Sequence, residues 1–246
     1  MNTILQKVDG SEGFYDALKL SKSDIKKLKI IVHDHFCSQI IKNYPELKDE
    51  INDLEMNNYH ELLANHPQIK HSEIWPKKNR ILPDDLLKKF RELDFFLELE
   101  KILGQLKISN EENLYNEEVY WRLTRPGHKD VGPMHADNWF WELGHGNMPE
   151  GYRRLKIWIS IFNESGKNGF RYVHGSHKRD WPYHGEERDG FVKPMIDISD
   201  DNLNITKFLS SSGEAIIFND RLLHSGFSGG QKSRVSIECT LLVKEN

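Results

Sequence analysis

The sequence has few of the features that mark secreted or membrane proteins. Only two cysteines occur, Cys37 and Cys239, so the chain offers neither a CxxC motif nor a disulfide framework. The first residues, MNTILQKVDGSEGFY, do not combine a basic segment with a long apolar run, as a secretory signal does. No stretch approaches the roughly 18 apolar residues that a transmembrane helix needs. We therefore expect a cytoplasmic protein with no membrane partner.

An excess of positive charge is also absent. The chain has 34 Lys and Arg against 38 Asp and Glu, a formal net charge of −4, so we expect no nucleic-acid partner. Hydrophobic residues make up 37% and charged residues 29%, which is typical of a globular protein. A length of 246 residues suits one domain with appended elements.

The first hundred residues predict helices. A helix is expected from an N-cap at Ser21 or Ser23 to about Tyr44, where Pro45 stops it. A shorter helix is expected over 56–64. A third is expected from Asp84 or Asp85 to a terminator at Gly104. Its buried stripe is predicted to be Leu87, Phe90, Phe96, Leu97 and Ile102.

After about residue 115 the apolar period changes from helical spacing to alternation, which predicts strands. Turn signals separate the strands, so an antiparallel barrel or sandwich is expected, with the helices packed on one face. We expect a single domain over 1–246, with a mostly helical support region at 1–115 and a strand-rich core at 116–246. The strands are predicted at 119–124, 155–162, 169–174, 214–218 and 234–243.

A metal-binding pattern lies in the segment GPMHADNWFW. His135 and Asp137 are two residues apart, a spacing that places both side chains on the same face of a strand. His224, expected at the end of another strand, completes a set of two histidines and one carboxylate. This is the facial triad of non-haem Fe(II) oxygenases. His128 and Asp130 have the same spacing but follow Pro126-Gly127 in a polar loop, so they are the less favoured alternative.

A second charged pattern follows ten residues after His224. Arg234 and Ser236 alternate with apolar residues, so their side chains share one face of the predicted strand. A guanidinium with a neighbouring hydroxyl suits a carboxylate such as the distal one of 2-oxoglutarate. Arg122 and Thr124, on the strand before the HxD motif, are candidates for a second 2-oxoglutarate contact.

Four blocks together resemble the phytanoyl-CoA dioxygenase-like family of Fe(II)/2-oxoglutarate oxygenases. They are GPMHAD, LKIWISIFNESGKNGFRYVHGSHK, GEAIIFNDRLLHSG and RVSIECTLL, within residues 120–243. The resemblance implies a double-stranded β-helix (jelly-roll) core and Fe(II), 2-oxoglutarate and O2 as cofactor and co-substrates. It carries over His135, Asp137 and His224 as iron ligands and Arg234 as the 2-oxoglutarate anchor. One departure is His174, where the family commonly has proline.

The resemblance implies hydroxylation of an aliphatic C–H bond in a small organic substrate, with release of succinate and CO2. Desaturation and ring closure use the same ligands. Asn138 and Trp141, directly after the HxD motif, are candidates for substrate contact. The loop expected over 179–194 and the helical region match nothing in the family and are expected to determine the substrate. The net charge of −4 argues against a polyanionic substrate, unless a basic patch such as Lys77, Lys78 and Arg80 binds it.

Two other classes remain as alternatives. A cupin-like metal enzyme that uses no 2-oxo acid would have no use for Arg234. A non-catalytic jelly-roll binding module would not need three ligands and an arginine together.

Overall fold

The computed structural model describes residues 3–111, 113–146, 148–188 and 191–245. Most helices lie in the first half of the chain, as predicted. Among the described residues, no helix is both long enough and apolar enough to cross a membrane. The helices are α1 Thr3–Asp9, α2 Lys22–Asn43, α3 Lys48–Asp53, α4 Tyr59–Asn65, α5 His71–Ile74, α6 Asp84–Arg91, α7 Asp94–Leu103 and α8 Asn138–Glu142. Short 3-10 turns cover Pro45–Leu47, Met56–Asn58, Lys77–Arg80, Ser176–Lys178 and Asp200–Asn202.

Helix α2 forms where the sequence predicts it. The hydroxyl of Ser21 caps it by accepting a hydrogen bond from the backbone N–H of Asp24 at 3.0 Å. The helix ends at Asn43, immediately before Tyr44 and Pro45. Its buried apolar positions recur at helical spacing and face the core.

The long helix expected from Asp84 to Gly104 is wrong, because two helices occupy this stretch. Leu93 is extended between α6 and α7, with φ −65° and ψ 136°. The buried carboxylate of Asp24 accepts hydrogen bonds from the backbone N–H groups of Asp94 and Phe95, at 3.2 and 3.0 Å, and so starts α7 in a new direction. As a result Leu97 and Ile102, predicted to be buried, are 43% and 49% exposed.

Eleven strands are found among the described residues, and they form two sheets and a hairpin. The larger sheet has the order β1-β9-β4-β11-β2, and β3 pairs with β11 beside β2. The smaller sheet has the order β10-β5-β8, and β6 pairs with β7. The strands are β1 Phe14–Lys19, β2 Lys107–Ile108, β3 Tyr120–Thr124, β4 Tyr152–Phe162, β5 Asn168–Val173, β6 Tyr183–Arg188, β7 Phe191–Ile196, β8 Ile205–Leu209, β9 Glu214–Asn219, β10 His224–Ser228 and β11 Arg234–Lys244.

These mainly antiparallel sheets form the double-stranded β-helix, with the N-terminal helices packed on the larger sheet. The two faces of β11 show the arrangement. Val235, Ile237 and Cys239 are buried in the hydrophobic core that the helices share. Arg234 and Ser236 point to the opposite face, toward the space between the sheets. We call this space the lumen. The fold class predicted from the sequence is confirmed.

All five predicted strands are present, but six others were not predicted. Strands β1, β2 and β8 lie at sheet edges, and β10 begins at His224. The segment 179–194, expected as a loop, contributes most of the hairpin β6-β7. Residues 189 and 190 of that segment lie outside the described residues.

A buried histidine links helix α2 to the larger sheet. His35 is 5% exposed, and the indole N–H of Trp121 on β3 donates to its Nδ1 at 3.0 Å. Burial lowers the pKa of His35 to about 4, although Asp85 acts in the opposite direction. In the unfolded chain the same imidazole takes up a proton near its ordinary pKa of 6.5.

We expect acid to destabilise the fold partly through this residue. Between about pH 6.5 and pH 4 the unfolded state binds more protons at His35 than the folded state does, so the free energy of unfolding falls as pH falls. One such group contributes up to about 1.4 kcal/mol per pH unit. His35→Gln should therefore flatten the pH dependence measured by urea denaturation. His174→Gln, which changes an exposed histidine, should not. Equal slopes for wild type and His35→Gln would contradict this.

Candidate metal centre and co-substrate pocket

Backbone hydrogen bonds hold two of the predicted ligands side by side. The N–H of His135 donates to the carbonyl of His224 at 3.0 Å, and the N–H of His224 donates to the carbonyl of His135 at 2.8 Å. This isolated bridge lies at the first residue of β10. His224 was expected to end a strand. It instead begins β10, after a turn that follows β9.

Asp137 does not lie on a strand, so the expectation that it shares a strand face with His135 is wrong. Its backbone is helical, with φ −68° and ψ −29°, and it is the N-cap residue of α8. Its carbonyl accepts from the N–H of Phe140 at 3.1 Å. A tight turn directly after the bridge therefore brings its carboxylate back to His135.

The three side chains converge on one point. One ligand atom from each of His135, Asp137 and His224 lies within 4.8 Å of the other two. Nε2 of His224 is 3.4 Å from Oδ2 of Asp137, and Nε2 of His135 is 3.8 Å from Oδ1. In the described part of the chain, these three side chains are the only group of at least three potential metal ligands.

Hydrogen bonds determine which ring nitrogens face this point. Nδ1 of His135 is 2.9 Å from the carbonyl oxygen of Pro133, and Nδ1 of His224 is 2.9 Å from that of Leu222. Because a carbonyl oxygen only accepts, each Nδ1 carries the hydrogen. Each Nε2 therefore presents a lone pair toward the carboxylate of Asp137, which is the tautomer that binds a metal.

The electrostatics favour a neutral His224 and an ionised Asp137. Burial lowers the pKa of His224 to about 4, against the opposing effect of Asp137. Burial alone would raise the pKa of Asp137, but Lys156 and the two histidines outweigh it and hold that pKa well below its usual range. Oδ2 of Asp137 is buried with no hydrogen-bond partner among the described residues. Three acceptors thus face one another without a donor, an arrangement that fits a divalent cation.

Aromatic rings shield one side of the cluster from water. The imidazole of His224 stacks on Phe170 with centroids 5.1 Å apart and contacts Phe218 at 4.6 Å. Both phenylalanines belong to an apolar cluster that also contains Trp158 of β4. This wall restricts solvent access to the ligands.

Arg234 lies in the lumen as a buried cation. It is 2% exposed, and within the described residues no carboxylate lies at ion-pair distance from it. Nη1 donates to the carbonyls of Gly169 and Phe227 at 2.6 and 3.2 Å, and Nη2 donates to the hydroxyl of Thr124 at 3.0 Å. Burial lowers its pKa to about 10, although Glu238 acts in the opposite direction. A buried guanidinium without an acidic partner is stabilised when an anion binds beside it.

Two buried donor groups at Arg234 and Ser236 have no hydrogen-bond partner among the described residues. The Nε of Arg234 is buried without a described partner, and so is the hydroxyl of Ser236 two residues further along β11. Gly226 of β10 leaves the guanidinium uncovered, because a Cβ there would lie 3.0 Å from Nη2. Since Gly226 follows His224 by two residues on the same strand, the arginine and the metal cluster share one lumen. The sequence placed Arg234 and Ser236 together, and the structure does too.

Arg122 does face the lumen from β3, but it already has a partner. Its Nε donates to Oε1 of Glu238 on β11 at 2.6 Å. Glu238 was missed in the sequence, although it is four residues after Arg234 on the same strand face and its position alone is a signal. Thr124, the other candidate, contacts Arg234.

Lys156 on β4, which is not among the site residues predicted from the sequence, also lies beside this cluster. Its Nζ lies 3.6 Å from Oδ2 of Asp137 and 3.4 Å from Oε1 of Glu111, and it donates to the hydroxyl of Thr240 at 2.8 Å. Burial would lower the pKa of this ammonium, but Asp137 and Glu111 outweigh it and raise the pKa above its ordinary value. A lysine inside the apolar run LKIWISIF was the available signal.

The two predicted substrate residues lie on α8 in different surroundings. Asn138 is buried, and its Nδ2 donates to Glu142 at 2.6 Å while Oδ1 has no described partner. Trp141 is half-buried and stacks on the guanidinium of Arg154 at 4.2 Å. Neither contact tests a role in substrate binding.

The alternative HxD pair lies apart from this cluster. Asp130 is paired with Arg125, whose Nη2 donates to it at 2.7 Å, and His128 is exposed. Ser176, in the Gly-Ser-His turn, accepts a hydrogen bond from the backbone N–H of Leu223 at 2.8 Å. That bond braces the residue before His224 and gives the turn a structural role.

Comparisons with known proteins identify a family for this chain. The family model described as phytanoyl-CoA dioxygenase (PhyH) matches residues 36–236. A sequence comparison with curated proteins gives no match.

Solved structures share the fold at low sequence identity. EctD from S. alaskensis, crystallised with 2-oxoglutarate and 5-hydroxyectoine, aligns with a TM-score of 0.57 at 11% identity, over 99% of this chain and 76% of that one. The non-heme alpha ketoglutarate dependent carbocyclase SnoK from nogalamycin biosynthesis aligns with a TM-score of 0.53 at 10% identity, over 99% and 84%. EvdO2 from Micromonospora carbonacea var. aurantiaca aligns at 17% identity with a TM-score of 0.49. That alignment covers 67% of this chain and only 66% of the EvdO2 chain.

We expect His224→Ala to weaken Fe(II) binding by more than about 100-fold, the upper end of what outer-shell changes cost. The substitution removes one of three convergent ligands and leaves Asp137 facing a single imidazole. His128→Ala, in the alternative HxD pair, is the matched control and should bind iron like the wild type. Calorimetric titration under anaerobic conditions measures both. Loss of iron in His128→Ala alone would mean that the metal binds at the other pair.

Proposed function

Because the chain belongs to the phytanoyl-CoA dioxygenase family, we propose that it is an Fe(II)- and 2-oxoglutarate-dependent oxygenase acting on a small organic substrate. We propose hydroxylation of an aliphatic C–H bond. Substrate, 2-oxoglutarate and O2 then give the hydroxylated product, succinate and CO2. We further propose that the helical region and the β-helix act as one oxygenase domain.

Two unbalanced groups in one lumen support this proposal most directly. The cluster of His135, Asp137 and His224 presents three acceptors that a cation would satisfy. Arg234 presents a buried cation that an anion would satisfy. 2-Oxoglutarate suits both, because its 2-oxo acid end chelates a metal while its distal carboxylate accepts from a guanidinium. A cupin-like enzyme without a 2-oxo acid leaves Arg234 unexplained.

The ligand set leaves positions for reactants. His135, Asp137 and His224 would hold the metal through two imidazoles and one carboxylate, a ligand set that would leave coordination positions for 2-oxoglutarate and O2. Fe(II) held there would supply O2 activation coupled to oxidative decarboxylation of 2-oxoglutarate. The carboxylate of Asp137 occupies the third protein position and offsets one positive charge of the metal.

Lys156 would act as a positioning residue for that carboxylate. Its Nζ lies 3.6 Å from Oδ2 of Asp137, and Thr240 and Glu111 fix the ammonium from the other side. Held in this way, the ammonium would keep the carboxylate of Asp137 turned toward the two histidines. Phe170 and Phe218, packed on His224, would exclude water from the reacting atoms.

We expect Arg234→Gln to raise the dissociation constant for 2-oxoglutarate while iron content stays near normal. Removing one partner of a buried charge pair costs on the order of 2–5 kcal/mol, a loss of at least about 30-fold. Arg153→Gln is the control, since that arginine pairs with Asp9 outside the lumen. Calorimetry with Fe(II)-loaded protein measures the change. An unchanged affinity in Arg234→Gln would rule out this pocket for the co-substrate.

Substitution of Asp137 tests the oxygenase chemistry itself. Asp137→Gly removes the carboxylate, so iron should bind more weakly and succinate formation should collapse. Asp137→Glu keeps the charge on a longer arm and should retain iron but lose most turnover through misplacement. Iron stoichiometry and succinate release are measured for wild type and both variants, with circular dichroism as the check on folding. Wild-type turnover by Asp137→Gly would show that Asp137 is not a ligand.

A further inference from the structure

A surface cleft separate from the metal cluster lies between the helical region and the loop that follows β3. Its volume is about 620 Å³, within the range of pockets that hold small organic ligands. Helices α4 and α5 form one wall, and the turn from Arg125 to Asp130 forms the other. The polar lining residues that matter below are His60, Lys70, His71, Arg125, His128 and Asp130.

The cleft continues inward toward the lumen. A smaller cavity of about 110 Å³ shares His71 and Asp130 with the cleft and adds Arg80 and Arg122 to its lining. Arg122 belongs to the lumen face of β3, where its partner is Glu238. Thr124, two residues further along that face, contacts Arg234. A ligand in the cleft therefore approaches the lumen at Arg122.

Positive charge dominates this route. Four cationic side chains line the two cavities, Lys70, Arg80, Arg122 and Arg125. Asp130 is paired with Arg125 and Glu238 with Arg122, and Glu61 lies 3.9 Å from His60 at the outer end. Arg80 has no acidic partner among the described residues; its Nε donates to the carbonyl of Trp75 at 3.1 Å. Lys70 likewise bonds a carbonyl. This is a local excess of positive charge in a chain whose net charge is −4.

Two further features indicate an absent anion at the inner end. Nδ1 of His71 is buried and has no hydrogen-bond partner among the described residues. Burial, followed by the like charge of Arg122, lowers the pKa of Arg80 to about 10. Burial, followed by the charge of Arg125, lowers the pKa of His71 to about 4. The buried Arg80 guanidinium beside Arg122 would gain from a negatively charged ligand, and the unpaired Nδ1 of the neutral His71 lines the same cavity.

We propose that the substrate enters through this cleft, and that it carries a carboxylate or phosphate group held by Arg80 in the smaller cavity at its inner end. The designation of the ligand as substrate rests on the proposed oxygenase function. The remainder of the molecule extends past Arg122 into the lumen, toward the metal cluster. Arg80 is a specificity-determining residue in this arrangement, because an uncharged analogue leaves its charge uncompensated.

Anion binding by the full-length, metal-free protein tests the proposal. Inorganic phosphate and acetate are titrated separately by calorimetry at constant ionic strength, so that the two arms distinguish a phosphate group from a carboxylate. Arg80→Gln should weaken binding of the preferred anion about tenfold, the usual loss for a hydrogen bond to a charged group. Arg80→Lys should restore most of the affinity. Lys78→Gln removes one charge from an exposed position on the same 3-10 turn and should change nothing.

The proposal is overturned if neither anion binds saturably, or if Arg80→Gln and Lys78→Gln have equal effects. Binding of 2-oxoglutarate to the Fe(II)-loaded Arg80→Gln variant is measured in parallel and should match the wild type. If anions fail to bind while Fe(II) and 2-oxoglutarate bind normally, the cleft proposal alone is lost. If anions bind through Arg80 while wild type binds no 2-oxoglutarate, the oxygenase proposal is lost and the cleft remains an anion site.

Discussion

The two hydrogen bonds between the backbones of His135 and His224 hold together parts of the chain that lie 89 residues apart. They set both imidazoles at a fixed separation, and the carbonyls of Pro133 and Leu222 then orient the rings. The turn into α8 delivers Asp137 to the same point. The residue before His224 is braced in turn by Ser176. The cluster of His135, Asp137 and His224 thus depends on main-chain pairing, which substitution of neighbouring side chains disturbs little.

Strand β11 shows how the same fold supports a polar lumen. Its outward residues are buried against the helices, so the strand is anchored by apolar packing along its whole length. That anchoring allows the inward residues Arg234, Ser236 and Glu238 to be polar although they are buried or nearly so. Buried polar groups are costly when unpaired, and Arg234 meets most of that cost with two carbonyls and a hydroxyl. The remaining donors are left for a ligand.

Charge in the lumen and in the adjoining inner cavity is balanced in pairs, with three exceptions. Glu238 offsets Arg122, and Lys156 lies between Asp137 and Glu111. The acceptor cluster, Arg234 and Arg80 have no complete partner among the described residues. Our proposals assign each exception to a separate ligand: a metal, a 2-oxo acid and the anionic group of a substrate. Conserving this balance constrains which side chains the strands can carry on their inward faces.

The sequence alone determined the class of site and much of the fold. The alternation of Arg234 and Ser236 inside an apolar strand is a local pattern that survives folding, because side-chain direction follows strand geometry. The HxD motif identified the right residues, but the turn into α8, not a shared strand face, brings Asp137 to His135. The change of period near residue 115 likewise predicted the helical and strand-rich regions. Tertiary structure decided the rest. Asp24 split the third predicted helix by capping Asp94 and Phe95 from 70 and 71 residues away. Arg122 is paired with Glu238, which lies 116 residues away in the sequence. The surroundings of Lys156 and the lining of the cleft likewise come from residues on other strands and helices. Such contacts depend on which elements pack together, and a single sequence carries no direct signal of that.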